Sequence, residues 1–493
     1  MTTTEKETEP GAVPGGAAVP RWALRAAFAR SLSAMYGREV PAYTTLVQVA
    51  TEVNADVLRS RGAAAERLGS AARVTAERHG AIRVGTREEL RQVAAVFAGF
   101  GMHPVGFYDL RDASASSVPV VSTAFRPLEV EELARNPFRV FTSVLVADDR
   151  RFFDADLQTR LEAFLARRTL FPPRLLELAA RAEAAGELPA GEAAEYLRLA
   201  TAAFELSPEP VDRAWYAELS RVSAVAADIG GVASTHVNHL TPRVLDIDEL
   251  YRRMSERGIE MIDEIQGPPR WDGPDVLLRQ TSFRALSEPR RFREADGSVT
   301  TGALRVRFGE VEARGIALTA AGRAAHDEAV AEVDRRLAAE PGGVRADVAA
   351  RVWAERLPRS EDELDRRGFG VFTYRLLPGA RGAADPGASV HDLVRAGLVV
   401  RDPVVYEDFL PRSAAGIFRS NLTDEGTKDT ALAGSARDEA WMAEVLQRPV
   451  TDPVAHCAQQ RHASLRALAA QLRLDATTLD PTPSTERPQE NPA

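Results

Sequence analysis

Apolar residues recur along the chain at two different periods, and the switches between those periods sketch its elements. From Trp22 to Val57 they fall at helical spacing, first Leu24, Ala27, Phe28 and Leu32, then Leu46, Val49, Val53 and Val57. Pro41 stands between the two sets, so two helices are predicted. Glu88 to Phe97 repeats the helical pattern and is closed by Gly99, Gly101 and Pro104. Val105–Leu110 and Val118–Phe125 then read as strands, giving a strand, helix, strand, strand order from His79 to Phe125. From about 150 to 225 the sequence is rich in Ala, Leu, Glu and Arg with helical period, and Pro172 and Pro173 mark a helix start inside it. Strand patterns return at Ser234–Leu240, Val276–Phe283, Leu304–Val311 and Val371–Leu376. No fixed-period repeat is present.

At 493 residues the chain has room for two to four domain-sized units or for one elaborated fold. The expected division is a domain over residues 21–440 that carries the chemistry, a helical insertion at about 150–225, C-terminal helices over 441–474, and tails at 1–20 and 475–493. Both tails are rich in Pro, Thr, Gly and Glu and are expected to be disordered. Lys and Arg total 62 against 71 Asp and Glu, a net charge of -9 with no dense basic block, which argues against a nucleic-acid partner. The single cysteine, Cys457, excludes an intrachain disulfide framework, a cysteine-rich zinc site and an iron–sulfur cluster held by this chain alone. No apolar run reaches the roughly 18 residues of a membrane span. The first twenty residues also lack a basic start followed by an apolar stretch, so a soluble cytoplasmic protein is expected.

The candidate chemistry lies in three separated segments. ERHGAIRVGT holds His79 and, four residues on and hence on the same strand face, Arg83. An imidazole ligand beside a planar guanidinium fork suits an acid with two carboxylates; the bland alternative is a turn histidine next to Gly80. THVNHLTPR holds His236 and His239, three apart, so a regular strand turns them to opposite faces and only one lines a given site. His239 is favoured, with His236 supporting or packing, but spacing alone leaves both open. RVRFGEVEARG puts Glu310 and Glu312 beyond Phe308 on one face, and metal coordination would remove the cost of burying an acid there. Alternatively the strand leaves the core after Phe308 and both acids are solvated. Two imidazoles and a carboxylate leave three positions of an octahedral Fe(II) open, the arrangement that binds a 2-oxo acid and dioxygen together.

Two further segments offer ligand contacts. YEDFLPRSAAGIF brings small residues after Arg412 and Ser413, where backbone can approach a ligand, and LLRQTSF offers the amide of Gln280. A packing turn and a satisfied core glutamine are the alternatives. The chain lacks G-x-G-x-x-G after a strand, G-x-x-x-x-G-K-[ST], H-E-x-x-H and G-x-S-x-G, which removes the main support for dinucleotide, P-loop, zincin and serine-hydrolase readings. Cys457 reads as an incidental thiol.

Taken in order, TLVQVATEVNADVL, ERHGAIRVGT, GMHPVGFYDL, STAFRP, NPFRVFTS, HVNHLTPR, LLRQTSF, RFGEVEARGIALT and YEDFLPRSAAGIF resemble the iron-dependent 2-oxoadipate dioxygenase/decarboxylases, which make 2-hydroxyglutarate during lysine breakdown. The resemblance runs from about Tyr43 to Leu422. It implies an α+β fold related to the vicinal oxygen chelate superfamily, in which paired β-α-β-β-β modules curl into a metal-holding cup, here with a large helical insertion and flanking helices. By analogy with the V-D-H and F-x-E-x-x-Q-R strands of hydroxyphenylpyruvate dioxygenase and hydroxymandelate synthase, V-N-H points to His239 and F-G-E-V-E-A-R to Glu310. The ligands of Fe(2+) implied are therefore His79, His239 and Glu310, with His236 and Glu312 as the weaker choices, and Arg83, Arg412, Ser413 and Gln280 as substrate contacts. The family more often has an apolar residue where this chain has Arg412, which leaves the identity of the acid open. The implied reaction converts 2-oxoadipate and O2 to 2-hydroxyglutarate and CO2; the alternatives are a related oxygenase on another 2-oxo acid and a non-catalytic protein that binds a 2-oxo acid or a metal.

Overall fold

The computed structural model describes residues 18–112, 118–304, 307–339, 342–379, 385, 387–410, 417, 421, 428–429, 431–432 and 434–479. Seven strands build the cup: β1 (Arg78–Val84), β2 (His103–Asp109), β3 (Val120–Arg126), β4 (Arg139–Leu145), β5 (Val237–Pro242), β6 (Leu278–Phe283) and β7 (Gly309–Arg314). The first five form one mixed sheet in the order β2-β3-β4-β1-β5, with β1 parallel to β4 and antiparallel to β5. The last two pair antiparallel as a second, two-stranded sheet.

The helix Arg87–Gly99 follows β1, so residues 78–145 run β-α-β-β-β with a short helix, Val130–Arg135, between the last two strands; the start of Arg87–Gly99 is fixed by a capping box in which Thr86 accepts from the Glu89 amide and Glu89 returns the bond. From β5 the chain again goes strand, helix (Ile247–Glu256), strand. Strand β4 has no counterpart in the predicted elements. All its residues are buried, so RVFTSVL shows no polar-out alternation to read.

Alternate residues of the five-stranded sheet divide the interior. Ile82, Val84, Val121, Phe125, Val140 and Val144 pack against Leu90, Val93 and Phe97 of the Arg87–Gly99 helix and against the two N-terminal helices, Arg21–Glu39 and Pro41–Arg61. Ala81, Ala124 and Phe141 face the other way, into a second apolar cluster with Tyr108, Phe308 and Phe409. That second face is the floor of the cup.

Helices cover 155–165, 173–185, 190–202, 213–222 and 224–230, in the stretch predicted to be helical. Val19–Pro20, which sequence reading placed in the N-terminal tail, pairs with Glu187–Leu188, and Ala476–Leu479 in the C-terminal tail is helical. The expected strand Leu304–Val311 is two pieces. Leu304 ends one strand of a hairpin (Glu288–Arg293 with Val299–Leu304), and β7 begins only at Gly309 and runs on to Arg314. No described helix is long and apolar enough to cross a membrane.

Candidate metal centre

The ladder between β1 and β5 is irregular at one point: Ala81 pairs with His239 and Ile82 with Val237, so Asn238 is an extra, bulged residue. Opposite residues of an antiparallel pair share a face, which sets His239 with Ala81 and therefore with His79 and Arg83 on the floor of the cup. The bulge has a second effect that regular strand geometry does not predict. It advances β5 by one residue, so His236 returns to the same side as His239 instead of opposing it. The expectation that only one of the two histidines lines the cup is thus corrected.

His79, His239 and Glu310 converge, with one donor atom from each lying within 4.8 Å of the others, and all three are buried. The His79 and His239 rings stand edge-on, centroids 5.2 Å apart. Each imidazole is tied by its outer nitrogen. His79 Nδ1 lies 2.9 Å from Glu312 Oε2, and His239 Nδ1 lies 3.2 Å from Thr241 Oγ1. His239 Nε2 faces Glu310 Oε1 at 3.3 Å. An ordered Nδ1–H leaves Nε2 as the lone pair, the tautomer a metal ligand needs. Phe308 stacks on His239 at 5.4 Å and Phe409 meets His79 edge-on at 4.6 Å, so both rings are shielded from water.

Glu310 and Glu312 point to the same side of β7, opposite Ser282 and Gln280 of β6, and both are buried rather than solvated. Their environments differ sharply. Burial pushes Glu312 up, but Arg314, His79 and Arg139 outweigh it and hold its carboxyl well below the usual range. Arg314 grips it with Nε and Nη2 at 2.7 and 2.9 Å, and Arg139 Nη1 adds a contact at 3.1 Å. Burial, and then the Glu312 charge, push Glu310 well above its ordinary value. Burial, and then the charges of His79 and Arg83, pull His239 well below its own. Both shifts disfavour charge on this pair, a cost that a divalent cation between them would offset. A buried carboxylate with no arginine in contact among the described residues, facing two imidazole lone pairs, is a donor set that fits a divalent ion.

Arg83 lies two residues up β1 from Ala81 and is buried; its Nη1 donates to Asp228 Oδ2 at 2.5 Å. Asp228 also accepts from Asn238 Nδ2 at 2.8 Å, and His236 Nε2 lies 3.3 Å from it. His236 is thus partnered in the Arg83 cluster and is absent from the metal-competent set. Ser122 and Ser143 continue the Arg83 row across β3 and β4, their hydroxyls 2.8 Å apart. Gln280 is buried on β6 opposite Glu312, beside the acids. Arg412 and Ser413 lie outside the described residues.

The sequence reading missed the charged frame behind the ligands. Arg139, which pairs with His79 in the β1–β4 ladder, donates to Glu77 at 2.8 Å and to Glu407 as well as to Glu312. Arg243 Nη1 donates to Glu77 at 2.9 Å, Arg73 pairs with Glu407, and Arg126 pairs with Asp408 through both of its carboxylate oxygens. A signal was present: arginine inside the otherwise apolar FRVFTS run demands a buried partner. Tyr36, on the first helix, reaches the carbonyl oxygens of both Asn238 (3.0 Å) and Phe308 (2.9 Å), pinning the bulge of β5 to the approach of β7. Cys457 is buried on the helix Pro453–Leu472, and burial pushes its thiol up to about 12, so it is no nucleophile.

The family described as 2-oxoadipate dioxygenase/decarboxylase matches residues 28–421. A Mycobacterium tuberculosis protein named 2-oxoadipate dioxygenase/decarboxylase is 57% identical over 432 residues, which is 88% of this chain and 95% of the relative. An Escherichia coli K12 protein of the same name is 40% identical over 437 residues, 87% of this chain and 94% of that one. Among solved structures, the hydroxyglutarate synthase of Pseudomonas putida in complex with 2-oxoadipate superposes with a TM-score of 0.80 at 36% identity, covering 93% of this chain and 100% of that one. The mixed α+β architecture is shared along the whole of that structure. By its match over most of its length and by these relatives, the chain belongs to the 2-oxoadipate dioxygenase/decarboxylase family.

Proposed function

We propose that this protein is an Fe(II)-dependent dioxygenase that converts 2-oxoadipate and O2 to 2-hydroxyglutarate and CO2, with the iron held by His79, His239 and Glu310. The observation that carries the reading is the pairing of two functions on one floor: a buried histidine, histidine, carboxylate set, and Arg83 one turn of the pleat away. When bound, iron supplies a Lewis acid for the 2-oxo carboxylate end of the substrate and the one-electron reactivity that dioxygen requires.

The residues of the chain do the rest. Glu312 holds the His79 proton on Nδ1, and Thr241 orders the His239 ring. Arg83 grips the far carboxylate of the diacid through its planar guanidinium, whose Nη1 also donates to Asp228. Asp228 keeps Asn238 and His236 as partners while Arg83 adjusts to the substrate. Holding both ends of the acid fixes which carbon lies beside the metal after CO2 leaves. Phe308 and Phe409 keep water from the imidazoles.

Incubation of the Fe(II)-loaded protein with 2-oxoadipate, with and without oxygen, tests the reading. One O2 consumed per CO2 released, none released anaerobically, and weaker turnover with 2-oxo acids lacking the second carboxylate are expected. CO2 release without O2 would point to a lyase instead.

A further inference from the structure

A cavity of about 490 Å³, lined by none of His79, Arg83, His239 and Glu310, lies where Val211–Asp212 pairs with the Phe292–Arg293 end of the Glu288–Arg293 strand, and its wall includes Arg290. Every other buried arginine among the described residues has a carboxylate in contact: Arg25, Arg83, Arg111, Arg126, Arg139, Arg243, Arg307 and Arg314 each form an ion pair. Arg290 is the exception. It is only 9% exposed, its hydrogen bond goes to the Ser207 carbonyl at 2.5 Å, and no acid among the described residues lies within ion-pair distance. Burying a guanidinium in this way is costly unless an anion joins it.

The surroundings point the same way. Arg167 and Arg293 line the cavity, and neither has a carboxylate partner among the described residues, whereas Arg160 is committed to Asp156 and Glu218. Of the two acids on the wall, Asp212 is occupied in capping the Trp215 amide at 2.9 Å, which leaves Glu209 against three cations. We propose that this cavity is a second ligand site that takes a small dianion, a phosphate or a short dicarboxylate, with Arg290 as its buried anchor and Arg167 and Arg293 at its rim. A volume of this size holds such a ligand with room for ordered water.

Calorimetric titration of the full-length, metal-loaded protein with inorganic phosphate and, separately, with glutarate, both at constant ionic strength, tests the site. The Arg83→Met variant separates it from the cup. Expected is saturable binding of at least one probe that survives Arg83→Met and weakens about tenfold or more, roughly 1.4 kcal/mol, in Arg290→Met. The double variant Arg167→Ala/Arg293→Ala, which changes exposed residues only, is expected to weaken the same binding and decides the matter if Arg290→Met does not fold. The probe that binds more tightly identifies the anion class. The proposal is overturned if neither probe saturates, if binding is lost in Arg83→Met alone, or if folded arginine variants bind like wild type.

Discussion

Glu310 and Glu312 are the same residue type, two positions apart on one strand, and they have opposite fates because one has arginines and the other has not. That difference is invisible to strand periodicity, which puts both on one face and stops there. His239→Ala is expected to abolish stoichiometric Fe(II) binding and oxygen uptake, while His236→Ala retains the metal; metal analysis of the two purified variants checks this, and the reverse pattern would sink the ligand assignment. Arg83→Ala removes one side of a buried charge pair, a loss of about 2–5 kcal/mol. The Michaelis constant for 2-oxoadipate should therefore rise by about 30-fold or more, with a smaller effect on kcat. Steady-state kinetics with the diacid and with a monocarboxylic 2-oxo acid reads it directly, since only the diacid should be affected. At this scale the ligand types were legible in the sequence, whereas the partners that choose among them were not: Arg314 shares the strand face of both acids but grips only Glu312, and His79 and Arg139 reach it from elements distant in sequence.

At the scale of elements, periodicity found the helices Arg21–Glu39, Pro41–Arg61 and Arg87–Gly99 because each has a wet face and a dry one. It failed on β4, buried on both faces, and on β7, whose start is displaced by the hairpin before it. Arg139 ties β4 by charge to Glu77, to Glu312 of β7 and to Glu407. Arg139→Met leaves Glu77, Glu312 and Glu407 short of a cation and is expected to cost about 3–5 kcal/mol, as removal of one member of a buried ion pair does; urea melts measure it. For Glu77, burial raises the pKa but Arg243, Arg139 and Arg73 outweigh it, and Glu407 is likewise held below its ordinary value against its burial. A carboxylate depressed in the folded state contributes stability above its unfolded pKa, roughly 4.3, and loses it as pH falls through the folded value. Wild type should therefore lose stability steadily below about pH 5, and Glu77→Gln, less stable at neutral pH, should show a shallower acid slope. Equal slopes would remove the cluster from the acid response.

For the molecule as a whole, the proposed ligands come from both sheets, His79 and His239 from the five-stranded one and Glu310 from the two-stranded one. A bound ion therefore joins parts of the fold whose backbones meet at the bridge between Arg243 and Glu312. Fe(II) at 100 times its Kd should stabilise the protein by about 2.7 kcal/mol, seen as a raised Tm under nitrogen and reversed by a chelator. An unchanged Tm at saturating iron would mean that the three residues do not bind it. What sequence periodicity could not supply was this meeting of sheets, which only the ordered segments of the family resemblance suggested.

The extra residue in β5 has a genetic consequence. Side-chain direction along a strand is a two-valued count, and Asn238 adds one to it between His236 and His239. Loss of that single codon leaves His236 two positions from His239, an even spacing that a regular strand also turns to one face, so both imidazoles are expected to keep their side while the Asn238 contacts with Asp228 and Tyr36 are lost. Chains that spell H-x-H and H-x-x-H at this place are thus expected to present the same two imidazoles, and a gap set at the bulge, not before it, aligns His236 with its true counterpart.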